Sequence, residues 1–90
     1  VLTSLDLSNF KTSSVTNMSY MFYHCRALEK IYVNLTNWKT DKVTFSSYMF
    51  NDCTKLVGGA GTIYNSSKTD ITYARVDGGT SNPGYLTKKA

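Results

Sequence analysis

The stretch VTNMSYMF, residues 15–22, returns nearly unchanged as VTFSSYMF, residues 43–50. The offset between the copies is constant over a long run. Asn9 maps to Asn37, Phe10 to Trp38, Val15 to Val43, Tyr20 to Tyr48, Met21 to Met49, Phe22 to Phe50, Cys25 to Cys53 and Leu28 to Leu56, each 28 residues apart. Upstream the offset falls to 26, in Leu2 to Leu28, Leu5 to Ile31 and Leu7 to Val33. The second unit therefore carries two extra residues, most simply Asn34 and Leu35.

Each unit opens on an L-x-x-L-x-L pattern. Leu5 and Leu7 flank Asp6, and Ile31 and Val33 flank Tyr32, so each stretch predicts a short strand with one buried face. The polar turns KTSS (11–14) and KTDK (39–42) follow. Val15, Met18, Met21, Phe22 and Cys25 are then spaced three and four apart, which predicts one apolar stripe of a short helix. Thr16, Asn17, Thr44 and Ser46 are candidate N-caps for that helix and its copy. Tyr20 and Tyr48 lie off the stripe. A unit of 26 to 28 residues falls within the range of leucine-rich solenoids. The Asn usual in such repeats is displaced by one position, to Asn9 and Asn37. After Leu56 the pattern stops at VGGAGT, and TIYN, TYARV and YLT read as short strands between the turns DGG and SNPG.

The expected architecture is thus an α/β leucine-rich-repeat solenoid fragment. Two strand–turn–short-helix coils occupy residues 1–27 and 28–55, and a β-rich capping segment occupies 56–90. Cys25 and Cys53, Met21 and Met49, and Phe22 and Phe50 form its expected side-chain ladder.

Composition narrows the function classes. Ninety residues allow one small core, and 41% apolar with 18% charged content argues against disorder. No apolar run is long enough to span a bilayer as a helix, so no membrane insertion is expected. The net charge of +4 is spread from Lys11 to Lys89, a distribution unlike that of a nucleic-acid groove. The chain opens at Val1 within a unit, which reads as a piece of a longer protein, so an absent targeting signal says nothing about location.

The phrase LTSLDLSNFxTSxVTNMSxMFxxCxxL, matched by residues 2–28, resembles the BspA-type leucine-rich repeats of bacterial surface proteins. Residues 28–56 match more loosely, with the two-residue insertion and Phe45–Ser46 as departures. That resemblance implies a secreted or cell-wall-attached protein. It implies a non-enzymatic, adhesin-like module whose protein ligand, in the host matrix or on a neighbouring cell, is recognised over the repeat array. The alternative it leaves is a terminating or spacer segment with no ligand site of its own.

Residues able to do chemistry are few. Cys25 and Cys53 would stack within disulfide reach, yet side chains at equivalent positions point the same way, which favours two reduced thiols. His24 offers a metal too few companions, and no metal site is expected. His24 and Cys25, adjacent on the expected helix, point apart and make no nucleophile–base pair, so neither catalytic residues nor a cofactor are expected. Asp52 would lie beside His24 as a surface contact. The outward strand positions are the expected binding patch: Tyr32 with Lys30, Glu29 and Asp6. Trp38 is expected in the core. Leu2, Leu5 and Leu7 would leave an apolar edge open, so self-association through the N-terminal end is expected as well.

Overall fold

Alternation around Ile31 and Val33 is what builds the sheet. In β2 (Lys30–Val33) both side chains are buried while Lys30 and Tyr32 stay partly accessible, as a strand with one face on the core requires. In the computed structural model, which describes residues 2–89, β1 (Ser4–Asp6) lies parallel to β2 with Leu5 opposite Ile31 and Asp6 opposite Tyr32. The third strand, β3 (Thr87–Lys88), lies parallel on the other side of β2, giving the order β1-β2-β3. The sheet and its crossovers stack three layers: residues 2–27, residues 28–55, and the tail from 56 onward.

Parallel neighbours need a crossover, and a helix is the usual one. Here it is not, and the expected strand–turn–short-helix unit is corrected. Among the described residues there is no α-helix, only the 3-10 turns Ile71–Tyr73 and Gly79–Ser81, both in the tail. Between Met18 and Cys25 the backbone N–H groups divide by parity. Of the odd-numbered ones, Ser19 donates to Asn17 Oδ1 at 2.9 Å, and the others close local three-residue turns, Met21 onto Met18 O at 3.2 Å, Tyr23 onto Tyr20 O at 3.1 Å and Cys25 onto Phe22 O at 3.2 Å. The even-numbered ones cross to the next layer, Met18 to Phe45 O at 2.7 Å, Tyr20 to Ser47 O at 3.1 Å, Phe22 to Met49 O at 2.8 Å and His24 to Asn51 O at 2.9 Å. An α-helix would spend every N–H four residues back along its own segment. Left-handed backbone at Tyr20 (φ 61°) and His24 (φ 61°), and again at Tyr48 (φ 59°) and Asp52 (φ 69°), forbids a helix through these positions. A run of three-residue turns also places apolar side chains three and four apart, so the spacing reads as helical when it is not.

The solenoid expectation is corrected too. The molecule measures 30 × 28 × 28 Å with a radius of gyration of 11.7 Å, against about 12 Å for a globule of this length. It is a small compact domain around a three-stranded parallel sheet rather than a curved, elongated coil. Residues 26 apart pair in the sheet, and Phe22 stacks on Phe50 with centroids 5.2 Å apart. That adjacency stops after two layers, because the tail follows a different path.

The tail closes the core. Phe50 N–H donates to Thr69 O at 2.9 Å, Trp38 Nε1–H to Ala74 O at 2.9 Å and Lys89 N–H to Val33 O at 2.9 Å. Tyr85 is fully buried against Phe50, Tyr64 and Tyr73. Its hydroxyl donates to Lys68 O at 2.9 Å and accepts from Asn65 N–H at 3.0 Å. The tail is less β-rich than its sequence suggests. TYARV begins in the first 3-10 turn, and beyond β3 only the single bridges Val57–Ile63 and Val76–Leu86 form.

Asp77 holds the tail's loops together. Its buried carboxylate accepts from Thr62 Oγ1–H at 2.7 Å, Thr62 N–H at 2.9 Å, Ala60 N–H at 3.0 Å and Gly79 N–H at 3.0 Å. Burial by itself would raise its pKa. The hydrogen bonds from the Thr62 side chain and from the Thr62, Gly79 and Ala60 backbone outweigh that and hold it at about 2.

Candidate functional site

Strand geometry brings Asp6 and Tyr32 side by side on the outer face of the sheet. A residue outside the expected patch joins them. Lys89 Nζ lies 3.1 Å from Asp6 Oδ2 and 5.6 Å from the Tyr32 ring centroid, an ion pair and a cation–π contact from one ammonium. Hydrogen bonds from the Ser8 side chain and backbone, then the Lys89 ammonium, lower the Asp6 pKa to about 2. Lys30 turns away and donates to Gly58 O at 3.3 Å. Glu29, exposed at the head of β2, uses its carbonyl to accept from Val57 N–H at 2.9 Å. Of the four residues expected to form a patch, two meet, and their outward charge is neutralised within the chain. Lys89 reaches this face from the position after β3, so no pattern on β1 or β2 announces its part in it.

The thiols are a buried and a half-buried group. Cys25 and Cys53 are both free. Cys53 donates to Phe22 O at 2.9 Å, and burial pushes its pKa up to about 12, so its thiolate is inaccessible at neutral pH. His24 stacks on Tyr23 with centroids 3.9 Å apart, and its Nε2 lies 4.0 Å from Asp52 Oδ2. Asp52 is held more closely by Arg26 Nε at 2.6 Å. Tyr20 packs edge-on to Tyr23 and stacks on Tyr48. Among the described residues no group of three or more His, Cys, Asp or Glu is placed to hold a metal ion.

The larger asymmetry is between layers. Leu2 is 60% exposed, Phe10 55% and Met21 38%, whereas their counterparts one layer on, Leu28, Trp38 and Met49, are 1%, 8% and 0% exposed. The second layer is covered on both sides, by the first layer and by the tail. Among the described residues the first is covered on one side only. Its other side carries the unpaired edge of β1 and these apolar side chains. No sequence rule separates Phe10 from Trp38, because the difference lies in what the tail covers.

Residues 3–81 match the family described as Mycoplasma protein of unknown function, DUF285. The chain belongs to the DUF285 family. No curated protein and no solved structure matches it. Membership corrects the BspA-type resemblance, and with it the leucine-rich, adhesin-like reading. The described residues of this DUF285 chain form a small compact domain rather than the repeat architecture on which both the ligand-binding and the spacer readings depend. Among the described residues, no helix of the DUF285 domain is long and apolar enough to cross a membrane.

Proposed function

We propose that the domain acts without catalysis, by contact with protein, through the open side of its first layer. Leu2, Phe10 and Met21 with the β1 edge form the contact surface. One observation carries this reading: positions buried in the second layer are exposed in the first, so the described residues leave an apolar surface of core type uncovered. The reactive groups support the non-catalytic half. The Cys53 thiol is committed to Phe22 O, and His24 is stacked against Tyr23.

An apolar fluorescent dye tests the surface. The native chain is expected to bind the dye. Leu2→Asp with Phe10→Asp is expected to abolish that binding while thermal melting changes little, because both side chains are more than half exposed. A folded chain that leaves the dye dark, or a double variant that binds it as before, would sink the proposal.

A further inference from the structure

We infer that the outward rings of Tyr20, Tyr23 and Tyr48, with the Arg26–Asp52 pair beside them, form a binding surface for a neutral, extended oligosaccharide. These side chains are a different group from those of the open side described above.

Exposure here belongs to the position, not to the cover of a layer. Tyr20 is 54% exposed and Tyr48 is 52% exposed, although the second layer is covered on both sides. Met21 and Met49, the next residues along, differ sharply between the same two layers. A side chain that stays exposed under cover on both sides points outward from its turn. The outward groups are also contiguous. Tyr48 stacks on Tyr20 with centroids 5.4 Å apart, Tyr23 meets Tyr20 edge-on at 5.2 Å, and His24 stacks on Tyr23 at 3.9 Å. His24 Nε2 lies 4.0 Å from Asp52 Oδ2, which Arg26 Nε reaches at 2.6 Å. Four rings and an ion pair thus make one row across two layers.

The backbone holds this row under strain. Among the described residues, the non-glycine residues with left-handed φ are Tyr20, His24, Tyr48 and Asp52, and all four belong to the row. Gly or Asn adopts that conformation with less strain, so the turns alone do not call for a tyrosine. What these side chains add lies at the surface, and strain of this kind gathers at ligand-binding positions.

The chemistry of the row selects a sugar. A tyrosine ring offers an apolar face and a polar tip, and a pyranose offers the complement, a face of C–H groups rimmed by hydroxyls. Vicinal hydroxyls both donate and accept, and the Arg26 guanidinium and Asp52 carboxylate set donors and an acceptor side by side. Arg26 and Asp52 cancel each other's charge, so the row holds no unmatched permanent charge for an ionic ligand. Among the described residues no cavity encloses it, so the ligand lies along the row instead of entering a pocket. β-1,4-linked pyranoses with equatorial substituents fit that demand, because their C–H faces stay accessible along an extended ribbon.

Ring-proton NMR of the chain, titrated into the millimolar range with cellotetraose and separately with N-acetylchitotetraose, tests the inference. At least one of the two sugars is expected to shift the Tyr20, Tyr23 and Tyr48 resonances with saturation. Tyr20→Asn with Tyr48→Asn should abolish binding, seen at Tyr23, while the melting temperature holds or rises, because Asn relieves the left-handed strain. Arg26→Ala, at an exposed side chain, should weaken binding by about tenfold. Ile63→Ala, at an exposed position in the tail, should leave it unchanged. Rings that neither sugar moves, shifts confined to residues outside the row, or a double Asn variant that binds as before would each overturn the inference. So would a proline-rich peptide that moves the three rings when both sugars fail, since it would assign the row to a protein ligand.

Discussion

Thr62 Oγ1–H donates to Asp77 Oδ1 at 2.7 Å, tying together two tail loops separated by 15 residues. Four backbone N–H groups, from Ala60, Thr62, Gly79 and Gly84, converge on the same carboxylate. Charge-assisted bonds of this kind are stronger than neutral ones, and losing the acceptor strands several donors together.

Asp77→Asn should therefore destabilise the domain by about 2 kcal/mol, and Asp77→Ala by more, as read from denaturant midpoints. The pH dependence follows from the same group. Its pKa is lowered from 3.8 to about 2 on folding, so the unfolded chain takes up the proton first as pH falls. The stabilisation is complete above about pH 4 and is lost as pH drops toward 2, amounting to about 1 to 2 kcal/mol. The Asn variant should show a flatter acid limb over that window.

The alkaline limit has other owners. Burial raises Tyr85 from 10.0 to about 12 and Cys53 from 9.0 to about 12. The unfolded chain then releases these protons earlier than the folded one. Stability should hold up to about pH 9 and fall as pH rises toward 12, by about 2 kcal/mol from Tyr85 alone. Melting temperature against pH is the measurement. Cys53→Ala should remove the earliest part of the decline.

Close approach fixes two glycines. A Cβ on Gly84 would overlap the carbonyl oxygen of Arg75, and one on Gly58 the carbonyl oxygen of Gly84, backbone that cannot give way. Gly84→Ala and Gly58→Ala should each destabilise by about 2 kcal/mol or more. At Gly61 a Cβ meets nothing within 4 Å, and the residue has φ of 96°. Gly61→Ala should therefore show only the backbone penalty of about 1 kcal/mol. Chemical denaturation of the three variants orders them.

Matched positions in the first and second layers should respond unequally to the same truncation. Met49→Ala removes a fully buried side chain and should cost about 2 to 4 kcal/mol, whereas Met21→Ala should cost less than about 1 kcal/mol. Trp38→Ala should exceed Phe10→Ala by a similar margin, since it also leaves Ala74 O without its indole donor. Equal losses within each pair would contradict the layer asymmetry.

Parts of this were legible in the residues. The alternation of Leu5, Ile31 and Val33 translates directly into β1 and β2, because a period of two has one structural meaning. The apolar spacing from Val15 to Cys25 does not. Helical turns and linked three-residue turns both return a side chain to the core every three or four positions. What separates them is where the N–H groups of Met18, Tyr20 and Phe22 find acceptors, which are residues about 27 positions away. The candidate site was legible only as a list of polar neighbours on one strand. Lys89, which pairs with Asp6 and lies over the Tyr32 ring, arrives from the far end of the chain with no local pattern to announce it. The exposure of Phe10 against the burial of Trp38 likewise depends on the path of the tail.

The plug at Tyr85 has a consequence for biosynthesis. A ribosome delivers the first two layers well before Tyr85 and Lys89 leave the exit tunnel, and until then Phe50 and Val33 lack their final neighbours. Full cover of the second layer is therefore reached only at the close of translation of this segment.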